Sequence, residues 1–187
     1  MIRLTIAALI ALSGTAALAD EVRFELNSNG ANGIGTPLRF TADDVSAAFP
    51  DLLVTEFAGD NTFGGGPRMM ALLDGDTPVF IVDLAELERV YSFSIFTRSN
   101  VVAGPNGWRI GKTVLADVVG QAEWECGRGY NEQAYRVSCM NWGEGLRLLF
   151  EEQPQISTEE VGPEAYDAAL GGAVLEEIRL YLDRPIQ

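Results

Sequence analysis

The chain has no histidine, a single lysine at Lys112, and only two cysteines, so much catalytic chemistry is excluded before any motif is sought. Without imidazole there is no Ser-His-Asp or Cys-His machinery and no histidine metal ligand. Two cysteines and no histidine also rule out the Cys₂His₂ and Cys₄ zinc sites. Bases are scarce: 13 Lys+Arg stand against 27 Asp+Glu in 187 residues, for a formal net charge of −14. A pI near 4.3 argues against nucleic acid as a partner, since phosphate binding needs clustered Lys and Arg. No cofactor motif is present. The glycine clusters Gly64-Gly65-Gly66 and Gly33-Ile34-Gly35 lack the spacing of a phosphate cradle and read as loops.

What is there begins with an address. Residues 1–19 read as a secretory signal peptide: Arg3 is the positive n-region, 4–12 the apolar stretch, and Ala17-Leu18-Ala19 the cleavage site before Asp20. The apolar run is about a dozen residues, short of the roughly 20 that a transmembrane helix needs. Cleavage after Ala19 predicts a periplasmic chain, 20–187, with no stable membrane insertion. Loss of Arg3 leaves 12 bases against 27 acids, or −15. In an oxidising compartment the even pair Cys126 and Cys139 reads as a structural disulfide.

Residues 20–187 have the size of one domain. Thr41 with Asp43 and Asp44 marks a helix start, and Pro50 stops that helix by Phe49. Strand-like runs follow at 52–57, 68–73, 78–84 and 89–98, the second and third joined through the turn Asp74-Gly75-Asp76-Thr77. The same order recurs later. A short helix is expected at 113–118, strands at 121–126, 134–140 and 145–151, a partly helical segment at 157–170, and a last strand at 174–182. The predicted fold is therefore α+β: a mostly antiparallel sheet built from two helix-then-meander repeats, 33–98 and 109–184, with helices on one face. Cys126 and Cys139 would flank a hairpin loop in the second repeat.

Three stretches together resemble the sigma-E-regulated lipoprotein family of the proteobacterial envelope, a family without an assigned biochemical function. They are Arg109-Ile110-Gly111-Lys112-Thr113, the Cys126…Cys139 pair around a polar hairpin, and Leu175-Glu176-Glu177-Ile178-Arg179-Leu180. The likeness runs from about Asn32 to Arg184. It implies an envelope protein tied to stress response and brings no catalytic residues. This chain departs from the pattern in lacking the lipidated cysteine, which puts membrane anchoring in doubt.

Carboxylates are the remaining acid/base apparatus. The pairs are Asp43-Asp44, Asp74/Asp76, Glu86/Glu88, Glu123/Glu125, Glu151-Glu152, Glu159-Glu160 and Glu176-Glu177. A glycosidase needs two such groups across a cleft. Glu123 and Glu125 would share one face of a strand with Trp124 on the other, an arrangement that reads as a solvated strand face. Asp74-Gly75-Asp76 lacks the further acids of a calcium loop and reads as a turn. Trp108, Trp124, Trp142, Tyr130 and Tyr135 cluster in the second half, where they either fill a core or mark a surface. Tyr130 and Trp142 fall in expected loops beside Gly and Asn and are the candidate partner-binding residues. The expectation is thus a non-enzymatic envelope protein that binds a protein partner or supports envelope maintenance. An acidic inhibitor of a basic, lysozyme-like hydrolase is the alternative, and a carboxylate-dependent hydrolase comes third.

Overall fold

A computed structural model describes residues 21–58, 68–84, 91–128, 136–151 and 170–182. The signal peptide, Gly64–Gly66, Glu86/Glu88, Tyr130, Tyr135 and the segment 157–169 of the sequence reading lie outside the described residues.

Eleven strands and one complete α-helix lie within the described residues, and Leu170 and Gly171 are helical as well. Eight of the strands make one antiparallel sheet in the order β3-β4-β5-β6-β11-β10-β9-β8. Its first half is β3 (Leu53–Ala58), β4 (Arg68–Asp74), β5 (Thr77–Asp83) and β6 (Ser94–Thr97). Its second half is β8 (Glu125–Arg128), β9 (Val137–Asn141), β10 (Leu146–Phe150) and β11 (Leu175–Tyr181). The halves meet where β6 pairs with β11. A separate three-stranded sheet contains β1 (Phe24–Asn27), β2 (Gly30–Ala31) and β7 (Val102–Ala103), with β1 parallel to β7.

Strand periodicity explains the core. Side chains alternate between faces, and the register aligns Val82, Ile95, Leu180 and Leu146 across four neighbouring strands, all fully buried. The small elements pack on this core face. Phe24 of β1 meets the Phe80 ring edge-on at 6.0 Å, and Phe49, at the end of the helix, lies 6.1 Å from the same ring. The helix α1 (Ala42–Ala48) begins as expected: the Asp44 N–H donates to Thr41 Oγ1 at 3.1 Å, with Asp43 and Asp44 in the positive first turn. The Asp74–Thr77 turn closes the β4–β5 hairpin, with Gly75 at φ 59°.

The expected α+β class is corrected by this architecture. The protein is mostly antiparallel β, α1 is the one α-helix that lies wholly within the described residues, and among those residues no layer of helices covers one face of the sheet. The helix expected at 113–118 is a single 3₁₀ turn, Leu115–Asp117. Its surroundings account for this. The Thr113 carbonyl accepts from Leu175 N–H and the Leu115 N–H donates to Ala173, so the backbone on either side pairs with the approach to β11 rather than with itself. Val114, Val118 and Val119 add β-branched side chains that disfavour further helical turns.

Cys126 and Cys139 are bonded and sit directly opposite one another on β8 and β9, with Cα atoms 4.0 Å apart. The bridge fastens β8, an edge strand, to the rest of the sheet. Its sequence separation of 13 closes a short loop, which in the chain-entropy model contributes about 3 kcal/mol. Replacing both cysteines by serine should therefore lower stability by about 3 kcal/mol. A urea midpoint equal to that of the wild type under non-reducing conditions would exclude a stabilising bridge.

Candidate functional site

The face of the sheet opposite the core carries a charge cluster. The same alternation that buries Val82, Ile95 and Leu180 places Asp83, Ser94, Phe96, Glu177, Arg179 and Arg147 on this far face. Across the middle of the sheet, Ile81, Phe96, Arg179, Arg147 and Met140 form one cross-strand row. Arg179 and Arg147 are directly opposite, a like-charge pairing that is unfavourable alone. Glu177 resolves it.

Glu177 is 1 % exposed, and its Oε1 accepts from Arg147 Nη2 and Arg179 Nε, both at 3.0 Å. Its Oε2 accepts from Arg98 Nε at 3.1 Å and Nη2 at 2.9 Å. Four donors on one carboxylate use its whole acceptor capacity. Arg179 is the hub: its Nη1 reaches Asp83 Oδ2 at 3.1 Å and Ser94 Oγ at 3.3 Å, and its guanidinium lies 4.2 Å from the Phe96 ring centroid. The Nε of Arg147 is buried without a hydrogen-bond partner. Burial alone would push the Glu177 carboxyl up, but Arg179, Arg147 and Arg98 outweigh it and hold the group below the usual glutamate range.

Beside this cluster, at the end of β5 and β6, lies a cleft of about 610 Å³. Pro78, Val79, Ile81 and Ile110 give it apolar walls, and Arg98 and Lys112 contribute cations. The strand ends are held by Thr97, whose Oγ1 donates to Val79 O at 2.7 Å and accepts from Ser99 N–H at 3.1 Å. On the opposite wall, Gly111 N–H donates to Leu175 O at 2.9 Å, and Arg109 Nε donates to Asn100 O at 3.1 Å.

The sequence-expected residues divide. Trp108 and Trp124 are buried and pack edge-on at 5.3 Å, filling core. Trp142 is 62 % exposed in the β9–β10 turn. That turn is ordered by Asn141 Oδ1, which accepts from Glu144 N–H at 3.1 Å, and by Gly145 at φ 65°. The Trp142 indole N–H donates to Glu125 Oε2 at 3.0 Å, tying the turn to edge strand β8. Tyr130, the other candidate partner-binding residue, lies outside the described residues. Glu123 and Glu125 are both exposed and flank the buried Trp124, but only Glu125 belongs to a strand. The Glu177 cluster was missed. Its sequence trace is faint: Glu177 and Arg179 alternate with Ile178 and Leu180 in β11, Arg147 interrupts Leu146-Arg147-Leu148-Leu149, and Asp83 ends an apolar run.

No family model matches the chain, and no curated protein matches it. In fold it is similar to the crystal structure of the uncharacterized protein yfeY from Escherichia coli, with a TM-score of 0.54 at 14 % identity, covering 84 % of this chain and 99 % of that one. At that identity the likeness concerns fold alone. It agrees coarsely with the resemblance to a proteobacterial family of unassigned function. Among the described residues no group of three metal-ligating side chains converges, and no helix is long and apolar enough to cross a membrane.

Removing Glu177 would leave three arginines facing one another, so Glu177→Ala should cost about 3–5 kcal/mol in urea unfolding. The lowered Glu177 pKa makes stability pH-dependent in a defined direction. Its contribution is complete above the range where an unfolded glutamate titrates and is lost as pH falls through the folded value. The wild type should therefore lose more stability on acidification than Glu177→Gln. Parallel pH profiles of the two urea midpoints would contradict the coupling.

Proposed function

We propose that the protein is a non-catalytic binding protein of the bacterial envelope, exported by its signal peptide and engaging a protein partner through the β9–β10 turn. The observation that carries this reading is Trp142: a large aromatic left in solvent, yet held in one orientation by its hydrogen bond to Glu125. Exposed, preorganised tryptophan is the residue type that dominates interface energetics, because little side-chain freedom is lost on binding. Export is supported by the disulfide, since bonded cysteines persist in oxidising compartments.

The non-enzymatic reading is supported by the state of the buried acids. Glu177 is held ionised with its acceptor sites filled, and Asp83 is engaged by Arg179. A glycosidase-type acid needs the reverse, a carboxyl kept protonated beside a second across a cleft. The inhibitor alternative draws on the same turn, where Trp142, Gly143 and Glu144 form an exposed acidic and aromatic tip on a strongly acidic chain. Such a tip suits insertion into a basic cleft.

Affinity capture from an envelope extract tests the reading. Trp142→Ser, alone and with Tyr130→Ser, should reduce recovery of the captured partner about tenfold or more. Capture unchanged by both variants would remove the turn from the interface. Loss of capture at raised salt, with a basic hydrolase recovered at low salt, would select the inhibitor.

A further inference from the structure

We propose that the outer edge of β3 pairs with β3 of a second copy of the chain, antiparallel and centred on Thr55, so that two large sheets join into one across a two-fold axis. This surface lies toward the other end of the sheet from the β9–β10 turn and does not rest on the partner-binding reading.

The edge is open. β3 is the terminal strand of the large sheet and is paired with β4 alone among the described residues. A terminal strand leaves a row of backbone N–H and C=O groups to water or to another strand. Such edges are ordinarily blunted by proline, lysine, a bulge or shortness. β3 has none of these: it reads Leu-Val-Thr-Glu-Phe-Ala and pairs with β4 over six residues without a register shift. At the other end of the sheet, β8 has four residues and carries Glu125 and Arg128 at its ends. β3 also leaves apolar side chains in solvent, Leu53 at 63 % exposure and Phe57 at 40 %.

A second copy is the occupant that the pattern fits. The register places Leu53, Thr55 and Phe57 on the far face, beside Leu73, Ala71 and Met69 of β4. That triplet is self-complementary. With Thr55 opposite Thr55 of the second copy, each Leu53 lies opposite a Phe57, and both far faces stay on the same side. The β4 residues behind extend each line, so that Leu73 and Leu53 of one copy continue into Phe57 and Met69 of the other. Charge selects the centre. Here Glu56 falls opposite Val54, whereas moving the axis by one residue would set the two Glu56 side chains against each other. Each Glu56 is also ion-paired within its own protomer, Arg68 Nε donating to its Oε1 at 2.6 Å. A foreign strand would have to bring the same alternation, which this chain already carries.

Sedimentation velocity of the mature protein, from about 1 to 200 µM, tests this. A strand-on-strand contact is small, so the expected dimer is weak, with a Kd on the order of 10 µM. Raised salt should strengthen it, because two strongly acidic copies repel. Thr55→Lys and Thr55→Glu each set like charges across the axis and should weaken dimerisation about fivefold or more, with circular dichroism unchanged. An equimolar mixture of the two variants should recover the affinity of the wild type. Monomer at every concentration would overturn the proposal, as would dissociation at raised salt, a dimer indifferent to both variants, or no recovery in the mixture. Growth into large oligomers would give the edge to a head-to-tail contact and would overturn the two-fold pairing as well.

Discussion

Glu177 sits where the two halves of the large sheet are joined, and its four hydrogen bonds reach across that join. Arg98 approaches from the end of β6, Arg147 from β10 and Arg179 from β11 itself, while Arg179 extends the network to Asp83 on β5. Four consecutive strands, from β5 to β10 in the sheet order, thus contribute to one set of ion pairs. Burying these groups is expensive in desolvation, and a well-packed apolar cluster of the same volume would hold strands together at least as well. What the ionic version adds is selectivity of pairing. A one-residue slip of β11 against β6 would carry Glu177 and Arg179 to the core face, among Val82, Ile95 and Leu148, and turn Leu180 out of it. Placing charges there without partners would cost far more than misplacing a leucine.

Local signals in the sequence were readable because their physics is local. Thr41 capping α1, Pro50 ending it, Gly75 at a positive φ and the cysteines of one hairpin each involve residues close along the chain. The strand runs were also visible through their alternation, to within a few residues. The helix expected at 113–118 was misread because its backbone partners are Ala173 and Leu175, some 60 residues away, and nothing within the segment announces them. The charge cluster was illegible for the same reason. Glu177 was visible as half of a Glu-Glu pair, but its meaning depends on Arg98, at a separation of 79 residues, and on Arg147, at 30. Only the strand order brings these together. Trp142 was correctly placed in a turn, while its tether to Glu125 required the register of β8 beside β9.

The distribution of charge has its own logic. In a strongly acidic chain, the scarce arginines are concentrated where they neutralise specific acids: Arg68 with Glu56, Arg136 with Glu176, and the trio around Glu177. The remaining acids give the surface a negative field, which keeps the protein dispersed and biases its encounters toward basic surfaces.

The strand that occupies the centre of the large sheet is the last one described in the chain. Until β11 arrives, β6 and β10 each present an open edge, and the two half-sheets have no shared ladder. Synthesis from the N-terminus therefore yields two incomplete meanders that wait for a segment beginning at Leu175. Pairing of this long range is slow to form, and unpaired edges are templates for association with other chains. The interval before β11 inserts is thus the period of greatest exposure in the life of the chain, and its closing strand acts as a keystone for both halves at once.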